Sequence, residues 1–106
     1  MPAIGFLTRQ SDDFYEGELR TLTVRAALEL RRNRDKSQPT QPDYLVFAKG
    51  IEIGVGWKRM SQSKSREYVS ISLATPEFGS RAITANLGAI NDEGDNQFAV
   101  IWNPEG

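Results

Sequence analysis

The sequence predicts an all-β protein: a small antiparallel barrel or two-layer sandwich of seven or eight short strands. Three observations carry this. Apolar and polar residues alternate through most of the chain, the pattern of strands with one buried face. Clusters of Gly, Pro, Asn, Asp and Ser punctuate the alternation at fairly regular intervals. No segment carries a clean helical apolar stripe. The 106 residues fit one domain, long enough to bury a core without staples.

The elements follow in order. Ile4, Phe6 and Thr8 mark a first strand, ended by the turn cluster Ser11-Asp12-Asp13. Residues 14–20 form a second, interrupted by Gly17, which signals a bulge or a close backbone approach. Residues 21–32 are rich in helix formers, yet Leu22, Val24, Ala26, Leu28 and Leu30 alternate without a break. On a helix these five would scatter around the axis, so period outweighs propensity and the segment is a strand. Residues 33–42, NRDKSQPTQP, form a polar loop. Strands over 44–48 and 51–58 flank Lys49-Gly50, a hairpin turn, and Gly54 and Gly56 signal a bend or bulge in the second. Beyond a serine-rich turn over 60–66, Val69, Ile71 and Leu73 share one face of a strand that ends at Thr75-Pro76-Glu77. Ile83, Ala85 and Leu87 point inward from the next, residues 91–96 make an acidic hairpin loop, and residues 97–102 are the last strand.

Composition removes several chemistries. The chain has no cysteine and no histidine. Disulfide scaffolds, Cys/His zinc sites, cysteine nucleophiles and histidine acid–base relays are therefore excluded. The expectation is a binding protein with no catalytic residue, no cofactor and no metal. No apolar run is long enough to span a bilayer as a helix, and no secretory signal is visible, so the expected setting is cytoplasmic with no membrane partner. Asp92, Glu93 and Asp95 cluster in one loop but lack the spacing of a calcium loop and read as a tight turn.

The net charge of −1 hides a sequence asymmetry. Residues 20–66 hold eleven basic residues and four acids, while the flanks hold two basic residues and ten acids. Either this builds a bipolar surface for a charged partner, or folding interleaves the two zones. Asp12, Asp13, Glu16 and Glu18 form one acidic group, and residues 31–36 a basic loop.

The chemistry-bearing constellation is Trp57-Lys58-Arg59 with Lys49, Lys64 and Arg66, and with Tyr44 and Tyr68 interleaved. On one exposed surface these residues would suit a phosphate backbone, the aromatics stacking bases, or would anchor a protein partner. The plainer expectation buries Trp57 in the barrel with the cations solvated on the other face, and Trp102 in the core. A pI of about 5.4 is low for a dedicated nucleic-acid binder.

The chain resembles the DUF736 family of bacterial proteins. The resemblance is carried by Ile4-Gly5-Phe6, Gly17, Leu19-Arg20-Thr21-Leu22, Pro42-Asp43-Tyr44, Glu52-Ile53-Gly54, Trp57-Lys58, Tyr68-Val69-Ser70, Pro76-Glu77-Phe78, Ala85-Asn86-Leu87 and Ile101-Trp102. At Leu73-Ala74-Thr75-Pro76 the chain is less acidic than the family pattern, so no carboxylate role transfers there. The family brings no assigned activity or catalytic residue. Its members look like cargo of plasmids and integrative elements, which implies a role in the life of mobile DNA. The function expected is thus a non-catalytic protein-interaction module acting on a nucleic-acid-handling or host-defence complex. The alternative is a direct binder of single-stranded nucleic acid.

Overall fold

The computed structural model describes residues 3–60, 67–90 and 96–104. Eight antiparallel strands run up and down in chain order and close into a barrel: β1 (Ala3–Ser11), β2 (Phe14–Arg20), β3 (Arg25–Arg32), β4 (Tyr44–Ala48), β5 (Ile51–Met60), β6 (Glu67–Leu73), β7 (Ile83–Ala89) and β8 (Gln97–Asn103). Closure is made by β1 against β8, with Gly5 opposite Val100 and Thr8 opposite Gln97. This settles barrel against sandwich, which strand alternation alone does not distinguish. It also leaves no sheet edge for another strand to join.

The inward residues of all eight strands meet in one core, including Leu7, Leu19, Leu28, Leu30, Val46, Ile71, Leu73 and Val100, each at most 1% exposed. Side chains therefore fill the barrel, as an eight-stranded interior permits. Residues 25–32 obey the period, with Leu28 and Leu30 fully buried on β3, whereas residues 21–24, expected in the same strand, form the turn before it. Leu22 does not belong to that strand. It sits at the tip of a turn held by Thr21, whose Oγ1 accepts from the backbone N–H of Val24 at 3.0 Å. In β1 the core residue is Leu7, and Phe6 faces solvent at 45% exposure, so the inward face is the opposite of the one Ile4, Phe6 and Thr8 suggest. A register shift between Ala3 and Gly5 puts Ile4 against the core without putting Phe6 there.

Turn chemistry matches the sequence. Lys49 and Gly50 take positive φ of 52° and 78°, the conformation of a two-residue hairpin between Ala48 and Ile51. The predicted irregularity near Gly54 is a register shift between Val46 and Phe47 on the partner strand, and it leaves Ile53 buried in the core. After β6, Pro76–Phe78 form one 3-10 turn, and Phe78 packs on the core. No helix among the described residues is long and apolar enough to cross a membrane. The acidic loop at residues 91–95 lies outside the described residues.

The topology gives the barrel two unlike ends. The upper end carries the β1–β2 turn, the β3–β4 loop and the finish of β5. The lower end carries the β2–β3 and β4–β5 turns and the 3-10 turn.

Candidate functional site

Strand alternation decides which of the predicted residues meet. On β5 and β6 the core positions are Ile53, Gly56, Val69, Ile71 and Leu73. Trp57 and Arg59 therefore face outward, as do Tyr68, Ser70 and Ser72. Trp57 lies opposite Ser70 and Arg59 opposite Tyr68. The Arg59 guanidinium sits 5.4 Å from the Trp57 ring centroid, a cation–π stack. Arg59 is exposed, while Trp57 and Tyr68 are half-buried. On the adjoining wall of β4, Phe47 is capped in the same way by Arg31 at 4.8 Å. Among the described residues, the outward positions of β5 and β6 from Val55 to Arg59 and from Tyr68 to Ser72 carry one charge, Arg59, and no carboxylate. Glu16, Glu18 and Glu29 face outward on another wall, from β2 and β3, and Glu52 faces outward nearer the start of β5, opposite Phe47.

The remaining predicted residues separate. Tyr44 is 1% exposed inside the barrel and cannot stack a ligand. The alternation that points Leu45 and Phe47 outward puts Tyr44 and Val46 in the core. Its hydroxyl donates to the Asp12 carbonyl at 3.1 Å, and its ring meets Tyr15 edge-on at 5.7 Å. Lys58 follows the inward register at the upper mouth, with Nζ 6.0 Å from the Tyr44 ring centroid, so it does not share the Trp57 face. Lys49 is in the lower turn, at the other end of the barrel. Lys64 and Arg66 lie outside the described residues. Trp57 is on the wall and not in the interior where the plainer expectation put it, because the core position next to it is taken by Gly56. Trp102 is half-buried at the strand end and does not join the core cluster.

The charge asymmetry of the sequence is interleaved by folding. Glu18 binds Arg20 at 2.8 Å and Arg25 at 3.3 Å, while Asp13 lies 3.8 Å from Arg32 and 3.7 Å from Arg34. In each case an acid from the flank faces cations of the basic block. Among the described residues, no group of three or more carboxylates could hold a metal ion.

Asp43 is the residue that sequence reasoning passed over. It ends the β3–β4 loop and clasps that loop to β5. Its Oδ1 accepts from Lys36 Nζ at 2.6 Å and its Oδ2 from the Lys58 backbone N–H at 2.8 Å. Its own N–H donates to the Gly56 carbonyl at 2.9 Å. The loop so pinned offers the Thr40 carbonyl to the Trp57 indole N–H at 3.4 Å. Asp43 thus positions one edge of the wall aromatic. The only sequence signal was an acid directly before a strand, where a side chain can satisfy loop donors.

Burial pushes the Asp43 carboxyl up, but the bonds from Lys36 and the Lys58 N–H and both ammonium charges outweigh it and hold the group below its ordinary 3.8. A depressed carboxyl stabilises the fold fully above the unfolded value and loses that contribution as pH falls through the lower folded value. Asp43→Asn is expected to cost about 1–3 kcal/mol at neutral pH. The gap from the parent should then narrow only below pH 3.8. Urea titrations at stepped pH check this, and a gap unchanged into strong acid would remove the clasp.

No curated protein and no solved structure matches the chain. The sequence profile of one family does match, over residues 3–105, nearly the whole barrel, and that family is described as a protein of unknown function. The chain therefore belongs to the DUF736 family.

Proposed function

We propose that this barrel is a non-catalytic protein-interaction module and that it grips its partner through the outer wall at Trp57, Arg59 and Tyr68. The observation that carries this is the half-buried Trp57 ring stacked by Arg59, which has no carboxylate partner among the described residues. Trp, Tyr and Arg dominate the energetic centres of interfaces. Because the barrel is closed, strand addition is unavailable and recognition falls to side chains. The proposed setting is cytoplasmic and belongs to mobile-element biology, with a nucleic-acid-handling or host-defence complex as partner. It rests on the cargo-like character that the family resemblance implies.

A second reading has its own support. Trp57 and Tyr68 offer two aromatic faces beside Arg59, an arrangement suited to single-stranded nucleic acid. Against it stand the low pI and the burial of Tyr44, which removes one of three expected stacking faces.

Two measurements separate them. Labelled single-stranded DNA, duplex DNA and RNA are titrated by fluorescence anisotropy at low and near-physiological salt, and host lysate is passed over immobilised protein. The proposal expects no nucleic-acid binding and a retained protein partner. Trp57→Ala should weaken that partner by about thirtyfold or more, the size of a hot-spot truncation. Salt-sensitive single-strand binding that is weakened by Arg59→Glu would put the second reading in its place.

A further inference from the structure

The lower end of the barrel sets a projection beside a hollow. The hollow is an open groove of about 510 Å³ between the β2–β3 turn, the β4–β5 turn and the 3-10 turn. Leu19 and Ile53, both buried, line it. Ala26 and Ala48 are inward positions whose short side chains leave the mouth unfilled, and Phe78 closes one side. The projection is Leu22, 105% exposed, which directly precedes the lining residues Thr23 and Val24. Ile51, also exposed, adds a second aliphatic side chain at the rim.

The turn that carries Leu22 is closed on itself. The Thr21 N–H donates to the Val24 carbonyl at 2.8 Å, and the Thr21 hydroxyl oxygen accepts from the N–H groups of Thr23 at 3.3 Å and Val24 at 3.0 Å. Leu22 is thus held out by a preorganised loop, which lowers the ordering cost of covering it. Those three donors also keep their partners when the tip leaves water.

The rim carries both signs of charge. Lys49 and Glu77 are exposed, line the groove and take part in no ion pair among the described residues. Arg25 and Glu52, which turn toward the outer wall, are likewise one of each sign. A twofold axis sets a patch against itself, so a patch of one sign repels its own copy, whereas a balanced one supplies its own counter-charges.

We propose that the lower end is the face by which two copies of this chain pair about a twofold axis. Leu22 of each copy enters the groove of the other, against Ala48 and Phe78, and Lys49 of each meets Glu77 of the other. The occupant is a second copy because projection and hollow lie on one face with balanced charges, which is what self-complementarity requires. The closed barrel has no edge for strand addition, so pairing falls to side chains such as these. This face shares no residue with the Trp57 wall and stands independently of the function proposed for it.

Sedimentation equilibrium of the full chain at rising micromolar concentrations tests the pairing, and a reversible monomer–dimer equilibrium is expected. Leu22→Asp should weaken the dimer at least about a hundredfold, because a twofold interface loses two buried leucines at once, each worth about tenfold or more. Since Leu22 is fully exposed in the single chain, that variant should keep the parental circular dichroism. Lys49→Glu and Glu77→Lys should each weaken the dimer severalfold, and the two together should restore it. Trp57→Ala should leave it unchanged. A monomer at every concentration overturns the proposal, even one whose lower end binds lipid vesicles or an apolar peptide. So does a dimer that Leu22→Asp leaves intact, one that is lost with Trp57, or a charge exchange that restores nothing.

Discussion

Gly17→Val is expected to leave the protein unfolded or nearly so at room temperature. Gly17 is an inward position of β2 opposite Leu7 of β1, where the two strands coil tightly against each other. A side-chain carbon there would lie 2.8 Å from the Leu7 Cα and closer still to the Phe6 carbonyl oxygen. These are backbone atoms, so no rotamer change relieves the clash. The β1–β2 ladder must part, and β1 is also the strand that closes the barrel onto β8. The loss should exceed about 4 kcal/mol, which belongs to the exceptional class of point mutations. It would consume much of a total that is typically about 5–15 kcal/mol. The internal control is Gly50→Ala. That position has open space within 4 Å but a φ of 78°, so only conformational strain is added, about 1 kcal/mol. Circular dichroism during urea unfolding reads both variants. A Gly17→Val protein as stable as Gly50→Ala would mean that the strands are not so close.

Tyr44→Ala should cost about 3–5 kcal/mol, the range for removing a buried aromatic ring. The ring is buried in the upper core between Tyr15 and the Lys58 ammonium. Tyr44→Phe retains the ring and loses only the bond to the Asp12 carbonyl, about 1 kcal/mol. The same hydroxyl makes an alkaline prediction. Burial, chiefly, pushes the Tyr44 phenol above its ordinary 10.0. Folding therefore retains a proton that the unfolded chain releases. Stability is intact below pH 10 and falls as pH rises toward the higher folded value, and Tyr44→Phe should flatten that fall. Denaturation at pH 8 and in steps above pH 10 tests it. A Tyr44→Ala protein of parental stability would return Tyr44 to the surface role that its neighbours in sequence suggested.

These two residues show where the sequence was legible. Gly17 announced a close approach because glycine inside an alternating strand has few other uses, and the structure supplies the neighbour, β1. Residues 25–32 were legible as a strand for a related reason, although the alternation was carried too far back, through residues 21–24 of the turn. The period is a property of the backbone, and it overrode a helical propensity worth only fractions of a kcal/mol per residue. Tyr44 was misread because its partners Tyr15 and Asp12 are remote in sequence, and its polar end looked like a surface feature. Trp57 was misread in the opposite direction. One residue of register separates it from the core, and register was set by cross-strand pairing with Ser70.

The sequence by itself determined the strand count to within one, the turns at Lys49-Gly50 and Thr75-Pro76-Glu77, and the exclusion of cysteine and histidine chemistry. All of these depend on local conformation or on composition, which neighbours along the chain dictate. Tertiary structure decided three further points. The sheet closes through β1 and β8, which lie at opposite ends of the chain. The basic residues fall on different faces, with Arg59 on the wall, Lys58 at the upper mouth and Lys49 at the lower. Asp43 and Thr40, in the β3–β4 loop, hold the edge of Trp57. Each is a contact between segments far apart in the chain, and such contacts depend on barrel register, which alternation along one strand does not encode.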